Sequence, residues 1–340
     1  MRAVNAPRPA PARLSCVMPA YNEAASLPLA VPEVLAALRA LSPQVELILV
    51  NDGSRDDTAL VAQALCAQHP ELVLLDLSRN FGKEAALSAG LDAAQGDAVI
   101  LMDADGQHPV ALLPAMLQAW REGADMVYAV RRTRDDQSPL LRRLVGLFYR
   151  LVNWGSRVKV PPDAGDFRLI DAKVVRALRA MPERHRFMKG LYAWVGFRSV
   201  ALDYAPLPRL GGRSSYGLAG AFRLGTTGLL AFSAAPLRLM GALGLLLALG
   251  ALLHGVWVVA EHLIVGTDVP GYATIVTGMM FLSGVQLMAV GLLSEYVARI
   301  YDEVKQRPLY LLAQRTGRGL PPAAAPDEAP PQPTVQDAAQ

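Results

Sequence analysis

From residue 14 to residue 130, short apolar runs alternate with longer stretches whose apolar residues recur at helical spacing. The runs at 14–18, 45–50, 72–75, 98–102 and 126–130 have the length of buried strands. Residues 27–41, 58–69, 84–95 and 110–121 predict helices, with Asp56 or Asp57 and Pro109 as start signals. Strand and helix in turn is the rhythm of a mostly parallel sheet covered by helices. Beyond residue 130 the rhythm stops. Residues 158–162 form a short strand-like connection, 174–181 and 187–195 predict helices, and 198–204 predicts a strand.

Two later stretches have a different pattern. Residues 240–260, interrupted only by His254, and residues 272–293 carry no formal charge. Each is about as long as the ~20 residues that cross a bilayer core. Two such lengths in tandem argue for membrane spans over buried globular helices. The connection at 261–271 lacks Lys and Arg, whereas Arg238 precedes the first span and Arg299, Lys305, Arg307, Arg315 and Arg318 follow the second. The positive-inside rule therefore expects both chain ends and the N-terminal region in the cytoplasm. Residues 140–154 place Leu140, Leu141, Leu144, Leu147, Phe148, Leu151 and Val152 on one helical face, with Arg142, Arg143 and Arg150 at its edges. That pattern suits a helix lying on a membrane, and also an ordinary core-facing helix.

Composition sharpens this picture. A 52% hydrophobic content is high for a purely soluble chain of 340 residues, and a formal net charge of +3 gives no basis for nucleic-acid binding. Cys16 and Cys66 have neither metal-ligand spacing nor a disulfide framework, which fits buried thiols in a reducing compartment. Residues 1–13, rich in Pro, Ala and Arg and without the apolar core of a signal peptide, read as a disordered tail. The expected division is a globular domain at 14–215, a juxtamembrane stretch at 216–235, two spans within 236–298, and a cytoplasmic tail at 299–340, Pro/Ala-rich from residue 321.

In open α/β sheets, ligands bind beyond the carboxyl ends of the strands. Four polar clusters stand there: Pro19-Ala20-Tyr21-Asn22-Glu23, Asn51-Asp52-Gly53-Ser54, Ser78-Arg79-Asn80-Phe81-Gly82-Lys83 and Asp103-Ala104-Asp105-Gly106-Gln107. No Gly-x-Gly-x-x-Gly follows any strand, which argues against a dinucleotide-dependent dehydrogenase. Two carboxylates and an amide leaving one strand end suit Mg²⁺ or Mn²⁺ bridging protein and diphosphate; alone, the same residues also make a polar turn. Asp52 alone reads as a helix cap. Four clusters on one edge point to a site. Arg131-Arg132-Thr133-Arg134 after the 126–130 strand suits phosphate, or a solvated charge run.

These clusters resemble the family 2, GT-A-fold glycosyltransferases. Ala164-Gly165-Asp166-Phe167-Arg168-Leu169, the stretch from Pro182 to Gly190, Asp268-Val269-Pro270-Gly271-Tyr272 and the stretch from Ser294 to Lys305 extend the likeness over nearly all of residues 14–312. Within that family the chain is similar to polyisoprenyl-phosphate glycosyltransferases that include dolichol-phosphate mannose synthase, and in particular to bacterial polyprenyl-phosphate glucosyltransferases. The resemblance implies a GT-A nucleotide-sugar domain followed by amphipathic interfacial helices and two transmembrane helices. It implies inverting transfer of a sugar from a UDP-sugar to polyprenyl phosphate, for cell-envelope glycosylation, in the bacterial inner membrane. Glucose is the sugar expected by likeness, with mannose or a modified sugar as alternatives.

Carried over at matching positions, Pro19, Tyr21, Glu23 and Asp52 receive the base and ribose, and Lys83 joins the nucleotide-binding set. Asp105 and Gln107 hold Mg²⁺ or Mn²⁺, with Asp103 at the ribose or the metal. Asp166, read as a turn carboxylate, orients the sugar or acceptor, and Arg131 and Arg213 hold the acceptor phosphate. Where the family has a phosphate-closing lysine this chain has Ser215, and Arg213 is the substitute cation. The family and the membrane segments also lead to an expectation of homo-oligomers. A processive polysaccharide synthase is disfavoured, because no Trp completes a Gln-x-x-Arg-Trp motif. A non-catalytic scaffold or translocator would leave the acidic clusters unexplained.

Overall fold

The computed structural model describes residues 7–131, 164–207, 235–265 and 271–321. Its elements run β1 (Arg13–Ala20), α1 (Leu27–Leu41), β2 (Gln44–Asn51), α2 (Thr58–Gln68), β3 (Leu72–Leu77), α3 (Lys83–Ala93) and β4 (Ala98–Leu101). A 3-10 turn at Val110–Leu112 leads into α4 (Leu113–Arg121), followed by β5 (Met126–Arg131), β6 (Ala164–Asp171), α5 (Ala172–Arg179), α6 (Met188–Trp194) and β7 (Ser199–Tyr204). Two long helices, α7 (Ala235–Val265) and α8 (Tyr272–Val304), precede a last strand, β8 (Leu312–Thr316).

The strands form one sheet of order β7-β5-β6-β4-β1-β2-β3-β8. Pairings β1–β2, β1–β4, β2–β3 and β5–β7 are parallel, whereas β6 runs antiparallel to β4 and β5, and β8 antiparallel to β3. This is a mixed, mostly parallel GT-A-like sheet. The near-continuous apolar sequence of β1 to β4 follows from burial on both faces. Leu14, Cys16 and Met18 of β1 pack with α1, α2 and α4, through Leu35, Ala62 and Met116, while Val17 turns to α3, α5 and α6, through Leu87, Leu178 and Leu191.

Two parts of the chain depart from expectation. Residues 7–12, expected in a disordered tail, lie on the domain: Arg8 donates to the carbonyls of Trp120 and Ala124 and, at 2.5 Å, to Asp125 Oδ1. The stretch after α8, expected as a tail, supplies β8, which covers the open edge of β3. Tyr310 Oη donates to Asp92 at 2.9 Å, and the Leu320 N–H donates to buried Glu46 Oε2 at 2.9 Å. An exposed edge strand is a template for aggregation, and β8 covers one. The expected helix at 140–154, the strand-like 158–162 and residues 216–234 lie outside the described residues.

Both α7 and α8 contain windows long and apolar enough to cross a membrane, Met240–Trp257 and Gly278–Val304. At 1.5 Å per residue the helices are about 46 and 50 Å long, against a hydrocarbon core of ~30 Å. Their large apolar side chains point outward, with Leu245 71% and Trp257 68% exposed. Apolar surface on this scale is the mark of a membrane or partner contact.

Candidate active site

The carboxyl ends of β1, β2 and β4, together with the start of α3, enclose a cavity of about 360 Å³. Its lining includes Pro19, Tyr21, Glu23, Asp52, Lys83, Asp103 and Asp105, seven of the residues singled out from the sequence. Asn80, Gly82, Ala86 and Ala104 complete much of the wall.

Each residue is held by local chemistry. After β1, Asn22 takes a left-handed backbone, φ 56°, and its Oδ1 accepts the Arg55 N–H at 2.9 Å. Glu23 Oε2 accepts from Ser26 Oγ at 2.5 Å, and the Glu23 N–H donates to Thr58 Oγ1 at 2.8 Å. After β2, Gly53 sits at φ 59°, where an added Cβ would stand 2.3 Å from the Arg79 carbonyl carbon. Only glycine allows this approach. Asp52 beside it accepts the N–H groups of Phe81 at 2.7 Å and Gly82 at 2.9 Å, so it shapes the turn into α3 as well as lining the cavity. Burial raises its pKa, against the pull of those two N–H donors.

Asp166 differs from its expected setting in a turn: it is the third residue of β6. β6 pairs with β4 through Leu101↔Arg168, and carrying this antiparallel register two residues past the end of β4 sets Asp103 opposite Asp166. Like charges so placed repel, and a cation between them removes the conflict. Lys83 supplies it, with Nζ 2.6 Å from Asp103 Oδ1 and 2.8 Å from Asp166 Oδ2. Burial works against the charge on all three groups, yet the mutual attraction prevails: Lys83 is raised well above its usual range, and Asp103 and Asp166 are lowered.

Around this triad lie groups that the sequence reading did not assign. His108 Nδ1 accepts the Asp103 N–H at 3.0 Å, and its ring stacks on Phe167 with centroids 4.7 Å apart. Burial lowers the His108 pKa, which keeps the ring neutral. Glu84 follows Lys83 on α3, and its Oε2 accepts the Met188 N–H at 3.1 Å. Burial, followed by the nearby Asp166 charge, pushes Glu84 up to about 7. His108 stands three residues after Asp105, a usable sequence signal, and Glu84 adjoins Lys83. Tyr204, which meets Arg131 in the β5–β7 register, offered no such signal.

Arg131 lies at the end of β5, with Nε 3.4 Å from Tyr204 Oη and Nη2 3.4 Å from Gln107 Oε1. Asp105 Oδ1 accepts the Gln107 N–H at 3.1 Å. Arg213 and Ser215 lie outside the described residues. Among the described residues no three His, Cys, Asp or Glu side chains cluster closely enough to hold a metal ion unaided. Asp103, Asp105 and Gln107 nonetheless present hard oxygen donors at one strand end. Such a set fits Mg²⁺ or Mn²⁺ when substrate phosphate and water complete the shell.

The glycosyl transferase family 2 signature matches residues 15–179, and the GtrB C-terminal hairpin matches residues 235–300. An SfII prophage-derived bactoprenol glucosyl transferase of Shigella flexneri is 39% identical over 309 residues, 91% of this chain and 100% of its own. The chain belongs to glycosyl transferase family 2. It is a glycosyltransferase whose catalytic sheet is followed by a hairpin of two long apolar helices. A glycosyltransferase of Synechocystis is 41% identical over 304 residues, 89% of this chain and 96% of its own. Among solved structures, mannosyl-3-phosphoglycerate synthase from Rubrobacter xylanophilus aligns over 68% of this chain and 75% of its own, at 19% identity and a TM-score of 0.43.

Proposed function

We propose that this glycosyltransferase moves a sugar, glucose by likeness, from a UDP-sugar to polyprenyl phosphate at the cytoplasmic membrane face, inverting the anomeric carbon. The observation that carries this reading is the 39% identity to a bactoprenol glucosyl transferase along its whole length, hairpin included. The chain path supports the topology. The segment after α8 returns to pair with β3, so the end of α8 and the catalytic sheet share one side of the membrane.

In this reading the base and ribose sit against Pro19, Tyr21, Glu23 and Asp52, with the diphosphate toward Asp103 and Asp105. Asp105 and Gln107, with Asp103, would hold Mg²⁺ or Mn²⁺, which when bound offsets charge growing on the departing nucleoside diphosphate. Lys83 keeps Asp103 and Asp166 side by side and ionised. Asp166 then accepts a hydroxyl of the sugar or orients the acceptor. Arg131 pairs in this reading with the acceptor phosphate, a group that Arg recognises with a two-pronged set of N–H donors. A phosphate monoester has a second pKa near ~6, so at neutral pH the acceptor is already mostly dianionic and attacks without a general base.

The test supplies purified protein in detergent with undecaprenyl phosphate, Mg²⁺ or Mn²⁺, and a panel of radiolabelled sugar nucleotides. Label is then counted in the organic phase. Label from UDP-glucose alone, absent with Asp105→Ala, is the expected result; label from another donor changes the sugar, and none from any donor refutes the transfer.

A further inference from the structure

The stretch 184–188, which leads into α6, is fastened at three points. At its start, Glu303 in the last turn of α8 accepts the backbone N–H groups of Arg184 at 2.8 Å and His185 at 3.3 Å through Oε1. His185 Nε2 also lies 3.3 Å from Asp302 Oδ2. In the middle, buried Arg186 donates to Ser88 Oγ at 3.1 Å, and that hydroxyl donates to the Glu84 carbonyl at 2.8 Å. At its end, the Met188 N–H donates to Glu84 Oε2. Glu84 adjoins Lys83, whose ammonium joins Asp103 and Asp166. Hydrogen bonds, joined by the backbone at residues 184–186 and at Lys83–Glu84, thus lead from the end of the second long apolar helix to the carboxylates of the active site.

A membrane-borne acceptor must arrive at a defined height above the sheet, and rigid positioning of reactants accounts for a large share of catalysis. We propose that Glu303 is a positioning residue: by clamping residues 184–188 to the end of α8, it sets the height at which the lipid phosphate meets the Lys83-linked carboxylates. This rests on the lipid-phosphate reading above. Glu303 touches no substrate in this scheme; it acts through the segment it holds. Its carboxylate binds backbone N–H groups, so an amide oxygen can take its place, whereas a methyl group cannot.

The experiment compares wild type, Glu303→Gln and Glu303→Ala in lipid nanodiscs, using undecaprenyl phosphate and, separately, a short water-soluble isoprenyl phosphate. Glu303→Ala is expected to raise KM for undecaprenyl phosphate about tenfold. KM for the sugar nucleotide and the rate with the soluble acceptor should change less than twofold, and Glu303→Gln should remain close to wild type. Equal losses with both acceptors, or an unchanged lipid KM, would overturn the proposal. Hydrogen–deuterium exchange over residues 184–188 gives a readout independent of turnover, and faster exchange in Glu303→Ala is expected. If wild type glycosylates neither acceptor, the lipid-phosphate reading fails, while unchanged exchange would separately remove the clamp.

Discussion

Lys83 Nζ lies 2.8 Å from Asp166 Oδ2, joining the first residue of α3 to β6, the strand that runs antiparallel between β4 and β5. The same ammonium holds Asp103, so a single cation in the cavity wall keeps two neighbouring carboxylates ionised. This contact organises the site.

Removing that cation leaves two carboxylates facing each other. Lys83→Met is expected to lower turnover at least ~100-fold and to cost about 2 kcal/mol of stability. The figure lies below the ~3–5 kcal/mol of a fully buried pair, because the three side chains retain 19–30% exposure. Steady-state rates and thermal melting measure the two effects. A variant that melts and turns over like wild type would show that the triad is ornamental.

Asp105 lines the cavity and accepts the Gln107 N–H of its own loop at 3.1 Å, so its loss should leave the core undisturbed. Asp105→Ala is expected to lose at least ~100-fold in rate with an unchanged melting temperature. Chelation should act likewise on wild type: EDTA abolishes transfer, and added Mn²⁺ or Mg²⁺ restores it. Full activity in excess chelator would refute the assignment of a metal to Asp105 and Gln107.

Glu84 gives the fold a pH dependence of definite sign. In the folded chain it keeps its proton up to about 7, whereas its ordinary value is 4.5. Between those values the folded state binds the extra proton, so this group's contribution to stability declines as pH rises from about 4.5 to about 7. Glu84→Gln stays neutral throughout and should remove that slope. Melting temperatures of both proteins in detergent between pH 5 and pH 8 decide the matter; parallel curves would count against a buried, protonated Glu84.

Truncation before β8 should expose the edge of β3 and release Glu46 and Asp92 from their partners in the C-terminal segment. Losing several hydrogen bonds, each contributing roughly 1 kcal/mol net, is expected to lower Tm by about 5 °C or more. Size-exclusion chromatography should show aggregation through the uncovered strand. A truncated chain that stays monodisperse and melts like the full chain would mean that β8 adds nothing to the sheet.

The strands β1 to β5, the helices between them and the two long apolar helices were legible because each repeats a local period: short apolar runs, helical spacing, or an uncharged bilayer length. The clusters that hold Pro19, Tyr21, Glu23, Asp52, Lys83, Asp103 and Asp105 could be named because each follows a recognisable strand and a parallel sheet brings such ends to one edge; the family resemblance singled out the residues within them. β6 was hidden because its sequence, Ala164 to Asp171, mixes Asp and Arg with apolar residues and reads as a turn. β8 was hidden because Leu-Ala-Gln-Arg-Thr has little apolar character, and an edge strand needs only backbone hydrogen bonds.

By itself, then, the sequence determined the sheet-and-helix rhythm, the acidic strand ends and the two long apolar helices, since each depends on residues close together in the chain. Tertiary structure alone decided that Asp103 faces Asp166, that Lys83 neutralises both, and that Glu303 reaches residues 184 and 185. Those pairings depend on antiparallel register and on the return of the chain after α8. Register and chain return are set by packing between distant segments, and no local periodicity records them.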